Sequence, residues 1–178
     1  MNQSKYKVCS LFSGIGGIDL GFKQAGFDVV WANEIDKFAV ATYIKNFGDD
    51  YVVKKDLRKI EVSQMPDFDI LVAGFPCQSF SMMGHQEGFA DKERGQMFFR
   101  IIDILQIKRP RYVILENVKN LYTHDKGNTF RVIRNELEKL GYSVYFDIFS
   151  GFVQALVFTL LSMVYIAGAC PPPEEQAK

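Results

Sequence analysis

The chain has 178 residues, 48% of them hydrophobic and 24% charged, with a formal net charge of zero. This is ordinary for a soluble globular protein with one substantial core, and it excludes attraction to nucleic acid through bulk charge alone. Three cysteines (Cys9, Cys77, Cys170) and two histidines (His85, His124) form no metal-ligand spacing and no disulfide framework, so no metal is expected and a reducing, cytoplasmic setting is.

Residues 1–7 are polar and lead straight into a strand, which is not the pattern of a secretion signal. Residues 6–12 read as that first strand. It stops at Ser13-Gly14-Ile15-Gly16-Gly17, and Ile18, Leu20, Phe22 and Ala25 continue as a helix ended by Gly26. Residues 27–32 form a second strand closing on Asn33-Glu34-Ile35-Asp36. Phe38, Val40, Ala41 and Ile44 mark the next helix, up to Gly48. Residues 51–53 make a short third strand followed by Asp56 and Leu57, and residues 68–73 a fourth. Residues 97–107 carry a helical apolar face ended by Pro110, and residues 112–115 form a fifth strand ending at Glu116-Asn117-Val118. A helix on Phe130, Ile133, Leu137 and Leu140 closes at Gly141, and residues 142–149 alternate like a sixth strand. Strands alternating with helices predict an α/β fold, a doubly wound parallel sheet with helices on both faces. The basic clusters Lys54-Lys55, Arg58-Lys59 and Lys108-Arg109 with Arg111 read as solvated faces.

Three strand ends carry chemistry. The Gly-rich turn lacks the third glycine of the dinucleotide fingerprint, because that position is Asp19, and it has no phosphate-binding Lys-Ser or Lys-Thr. Glu34 stands about 20 residues on, where an acid holds ribose hydroxyls, and Asp56 ends the third strand, placed to accept from an adenine amino group. Together they suit an adenosine ligand without phosphates. S-adenosylmethionine is the obvious one, and its cationic sulfur would sit well beside Phe12. The other reading of Gly14 to Gly17 is tight strand-to-helix packing. Cys77 follows Gly74-Phe75-Pro76 at the end of the fourth strand, and a thiolate there would be a nucleophile. Cys9, inside the first strand, reads as an inert buried thiol. A roughly 20-residue polar loop after Cys77 reads as a lid or binding loop. Glu116, at a strand end beside apolar residues, can be desolvated enough to donate a proton near neutrality.

Taken together, Phe12-Ser13-Gly14-Ile15-Gly16-Gly17, Asn33-Glu34, Gly74-Phe75-Pro76-Cys77-Gln78 and Glu116-Asn117-Val118 resemble, in order and spacing, the motifs of DNA cytosine-5 methyltransferases. The resemblance covers about residues 7–149. It implies a Rossmann-like S-adenosylmethionine-dependent methyltransferase fold and DNA methylation of the restriction–modification kind. It implies Cys77 as the nucleophile that adds to carbon 6 of a flipped cytosine, and Glu116 as the acid at the ring nitrogen. The cofactor-lining positions it implies are Phe12, Ser13, Gly14, Ile15, Gly16, Gly17, Glu34, Ile35, Asp56, Leu57 and Pro76, with S-adenosylhomocysteine as product. Gln78, Ser81 and Arg94 are the implied contacts to double-stranded DNA. An enzyme of tRNA cytosine is the related alternative.

The chain departs from the family after the sixth predicted strand. The Gly-x-Pro-Gln segment, the Arg-x-Arg motif, the target-recognition domain and the late motifs do not follow, so the methyltransferase domain, residues 1–150, is expected to be partial through truncation, frameshift or fusion. Weak DNA binding, a need for a complementing chain, or self-association through an exposed sheet edge or the apolar tail would follow. Residues 151–169 are uncharged and apolar, close to the roughly 20 residues that span a bilayer. They are expected as a C-terminal apolar helix, either membrane-compatible or packed on the core, or else as strand-like packing on the sheet, before a polar tail at 170–178. Membrane association through 151–169 is the alternative to a cytoplasmic location.

Overall fold

A computed structural model describes residues 6–76, 96–118 and 120–146. Among these, five strands, β1 (Lys7–Leu11), β2 (Asp28–Glu34), β3 (Val52–Lys54), β4 (Ile70–Gly74) and β5 (Tyr112–Glu116), pair in parallel in the order β3-β2-β1-β4-β5. The chain winds outward from β1 to β3, returns to the other side of β1 as β4, and continues outward to β5. The reversal falls between β1 and β4, and in open parallel sheets such a switch point opens a crevice at the carboxyl ends of the strands.

Alternation along the strands makes two cores. Cys9, Leu11, Leu71 and Ala73 join Phe98, Ile101, Ile104 and Leu105 of α3 (Gln96–Lys108) and Ile133 and Leu137 of α5 (Asn128–Lys139). Val8, Val29, Ile70 and Val72 turn the other way, toward Phe22 of α1 (Gly17–Gln24) and Phe27. The doubly wound α/β arrangement expected from the sequence is the one found. Cys9 is fully buried, and burial pushes its thiol well up from its ordinary range, with Asp19 adding to that and Lys108 opposing it.

Local chemistry fixes the ends of the elements. The Asp36 carboxylate accepts from the N–H groups of Phe38 and Ala39, at 2.9 and 2.8 Å, and so caps α2 (Lys37–Phe47). The helix marked by Phe38, Val40, Ala41 and Ile44 is found, ending at Gly48. Val40 and Tyr43 are the buried residues, whereas Phe38 is 71% exposed. Between β3 and β4 the chain makes two short 3₁₀ turns, Leu57–Lys59 and Val62–Gln64. They are held by cations of α3. Arg100 donates to the carbonyls of Leu57 and Ile60, and Lys108 to Met65 at 2.5 Å and to the Asp67 carboxylate at 3.1 Å. Lys108 therefore corrects the expectation of a solvated face, since its side chain is only 12% exposed.

The predicted sixth strand is also corrected over its described part. Residues 142–146 form no strand. Gly141, at φ 90°, donates its N–H to Glu138 at 2.9 Å, and Tyr142 donates its own to Leu137 at 3.1 Å. This is a Schellman closure of α5, and it takes up a backbone donor that a strand would need. The alternation survives as burial alone: Tyr142 and Val144 pack partly on the core, while Tyr145 is exposed. A short α4 (Asn120–Thr123) and a 3₁₀ turn, His124–Gly127, were not foreseen. The chain divides after Val144 into two units, and the second is described only at Tyr145 and Phe146. The expectations for 151–169 and 170–178 lie outside the described residues. Among the described residues no helix is long and apolar enough to cross a membrane.

Ile101 is fully buried between α3 and the sheet. Ile101→Ala is expected to lower the free energy of unfolding by about 2–5 kcal/mol in a urea titration, and a loss well below that would place the residue outside the main core.

Candidate active site

Parallel register sets the strand ends side by side. Leu11 is level with Asn33 and with Ala73, Glu34 with Lys54, and Gly74 with Glu116. The turn after β1, the acid ending β2, the segment after β3, the Gly-Phe-Pro after β4 and Glu116 therefore share one edge of the sheet.

The turn after β1 is a run of unusual backbone. Phe12 and Gly14 both have φ 55°, and Gly16 has φ 91°. A non-glycine residue in the left-handed region costs energy and is often found at functional sites. Phe12 holds that conformation half-buried against the core. Ser13 donates its N–H to Asn33 O at 3.0 Å, and Gly16 donates back to Ser13 O at 2.9 Å. The glycines have separate tasks. A Cβ on Gly16 would lie 2.3 Å from the Phe47 ring and 3.0 Å from Tyr43, so Gly16 serves close packing against α2. A Cβ on Gly14 would meet nothing within 4 Å, so the space above that position is open. Gly17 is likewise open and begins α1.

The Glu34 carboxylate ties this turn to the start of α2. Oε2 accepts from Gly14 N–H at 2.9 Å, and Oε1 accepts from Ile35 and Asp36 N–H at 2.7 and 2.9 Å. An ionised carboxylate offers about four acceptor positions, so one remains for a ligand hydroxyl. The apolar side chains next along the chain from Gly14 and Glu34, Ile15 and Ile35, are 58% and 61% exposed. Open space over Gly14, a spare acceptor on Glu34 and exposed apolar groups beside both fit the adenosine part of S-adenosylmethionine.

Asp56 stands just past β3, but its carboxylate is engaged. It accepts from Arg58 Nε on both oxygens, from Arg58 Nη2 at 2.5 Å and from Arg58 N–H at 3.0 Å. The Arg58 guanidinium holds this carboxyl down to about 2. An adenine amino group would have to share or displace that pairing. Leu57 is buried in the core. Asn33, not singled out from the sequence as a site residue, is buried and donates from Nδ2 to Val53 O at 2.9 Å and to Lys55 O at 2.7 Å, fixing the segment that carries Asp56.

On the other side of β1, Phe75 is buried and Pro76 exposed. Glu116 Oε2 lies 3.4 Å from where a Cβ on Gly74 would sit, so the carboxylate is placed over the end of β4. Asn117 donates from Nδ2 to Phe75 O at 2.8 Å, tying the chain after β5 to the chain after β4. A polar amide at a strand end was the signal available for both Asn33 and Asn117. Cys77, Gln78, Ser81 and Arg94 lie outside the described residues.

A sequence model of the family described as C-5 cytosine-specific DNA methylase matches residues 6–152. The chain is 49% identical over 143 residues to the Type II methyltransferase M.Bsp6I of Bacillus sp. (strain RFL6), which covers 80% of this chain and 45% of that protein. It is 52% identical over 147 residues to the Type II methyltransferase M1.ScrFI of Lactococcus lactis subsp. cremoris, covering 82% and 37%. The crystal structure of the S. pombe Dnmt2 methyltransferase shares the fold, with a TM-score of 0.58 at 24% identity over 74% of this chain and 42% of that one. The chain spans less than half the length of the curated relatives it matches.

Two outcomes test the geometry. Gly16→Ala, forced against Phe47 at φ 91°, is expected to cost about 1–3 kcal/mol, whereas Gly14→Ala carries only the backbone cost of about 1–2 kcal/mol; thermal unfolding ranks them. The lowered Asp56 value favours the ionised form in the folded state. Its contribution is thus present above the unfolded value of about 4 and fades as pH falls toward 2. Asp56→Asn should therefore be less stable than the parent at pH 5 and converge with it near pH 2, read by denaturant titration at each pH.

Proposed function

Because this chain belongs to the C-5 cytosine-specific DNA methylase family, we propose that it is the cofactor-binding and nucleophile-bearing part of a DNA cytosine-5 methyltransferase. The observation that carries this reading is the shared sheet edge, where the Gly14 turn, Glu34, Gly74 to Pro76 and Glu116 end together. Bound beside the Gly14 turn and Glu34, S-adenosylmethionine would supply an electrophilic methyl group and leave as S-adenosylhomocysteine. Phe12, Ser13, Ile15, Ile35 and Pro76 would line that site, with Asp56 and Leu57 at its adenine end.

The protein's own groups do the rest. Cys77, as thiolate, would add to carbon 6 of a cytosine turned out of the duplex, forming a carbon–sulfur bond and making carbon 5 electron-rich. Glu116 would hold a proton at the ring nitrogen as that charge builds. After carbon 5 has gained the methyl group, its proton leaves to a base and the Cys77 sulfur departs, restoring the aromatic ring and the thiolate. Gln78, Ser81 and Arg94 would contact the DNA. A second reading is a cofactor-binding remnant or half-enzyme that works only with a complementing chain, and the adduct test below separates it from the first.

The test is in two steps. Calorimetry with S-adenosylhomocysteine should show binding by the unaltered chain and by Cys77→Ser alike. An oligonucleotide carrying 5-fluorocytosine, with S-adenosylmethionine, should then form a covalent adduct with the unaltered chain and none with Cys77→Ser. Failure to bind the cofactor would overturn the reading outright, and binding without an adduct would favour the half-enzyme.

A further inference from the structure

Asp19 is fully buried, three residues into α1. Its Oδ2 accepts from the Tyr43 hydroxyl of α2 at 2.7 Å, and Tyr43 is also fully buried. Its Oδ1 has no partner of ordinary hydrogen-bond geometry among the described residues, although the buried Ser10 hydroxyl is close enough to stabilise the carboxylate weakly. A buried carboxylate with so few donors is a poor device for stability alone, because apolar side chains of similar volume would pack there without the desolvation cost. Its position suggests what it does instead. Gly16 caps the N-terminus of α1 and lies against Tyr43 and Phe47, so α1 and α2 are in contact where the turn enters α1 and are hydrogen-bonded three residues on. The turn before α1 carries Gly14, and the junction before α2 carries Glu34, Ile35 and Asp36.

We propose that the Asp19–Tyr43 hydrogen bond is a positioning device for cofactor binding, setting the separation between the Gly14 turn and the Glu34 junction so that both reach one adenosine. It rests on the cofactor reading above and adds to it two residues that do not touch the ligand. Burial raises the proton affinity of Asp19, with the Ser10 hydroxyl, Tyr43 and Lys23 acting against it. Lys23 itself stands over the rings of Phe47 and Tyr51, at 4.9 and 4.5 Å.

The experiment separates positioning from stability. In the full chain, the double variant Asp19→Leu/Tyr43→Phe removes both polar partners and leaves apolar packing, which is expected to be neutral or stabilising in thermal unfolding. Its affinity for S-adenosylhomocysteine, measured by calorimetry well below the melting temperature, is expected to fall roughly tenfold, as for loss of one charge-assisted hydrogen bond. Asp19→Asn keeps an acceptor oxygen for Tyr43 and is expected to bind within about threefold of the parent. Ile133→Val, in the core under α5, should lower the melting temperature and leave affinity unchanged. A double variant that binds like the parent, or an Asp19→Asn that loses as much as the double variant, would overturn the proposal. An unaltered chain that does not bind S-adenosylhomocysteine at all would instead overturn the cofactor reading beneath it.

Discussion

One carboxylate holds the edge of this sheet together. Glu34 ends β2 and spreads three backbone hydrogen bonds over two separate segments, the turn after β1 and the first residues before α2. Those N–H groups lie at a helix entry and in a tight turn, where regular structure supplies no acceptor for them. Because the acceptor is charged, each bond is stronger than a neutral one. The same group proposed to meet a ribose hydroxyl thus also shapes the turn beside it.

Everything else at the edge is placed by the parallel ladder. Gly74 and Glu116 are level because β4 and β5 are in register, and Asn117 then fastens the two outgoing segments to each other. Asn33 bonds from β2 to β3 itself, at Val53 O, and to Lys55 O just beyond it. These side-chain amides add bonds at the ends of the ladder, tying the outgoing segments to it.

Much of this was legible in the sequence, for physical reasons that differ from residue to residue. Apolar runs ended by Gly, Pro or an acid mark parallel strands well, and the five among the described residues begin and end within two residues of where the sequence places them. Gly14 and Gly16 were legible as a turn. Their division of labour was not, since it depends on Phe47 and Tyr43 arriving from another helix. Phe38 marks α2 in the sequence yet is exposed, because helical spacing does not say which of two faces is covered. The Asp56 carboxylate looked available because the fold of its own next turn, which brings Arg58 back onto it, has no strong sequence signal. The sixth strand was suggested by an alternation that is real in burial, yet a strand also needs a partner, and α5 had already taken the Tyr142 N–H.

The clasp of α3 on the irregular stretch between β3 and β4 has a consequence of its own. Arg100 and Lys108 grip that stretch largely through peptide oxygens, which carry no net charge. Mobile counter-ions weaken attraction between opposite ions far more than they weaken a short, sheltered contact between a cation and a dipole. Brine strong enough to loosen the surface pairs of α5, such as Arg134 with Glu138, should leave this stretch, and the Asp56 end of the site with it, in place.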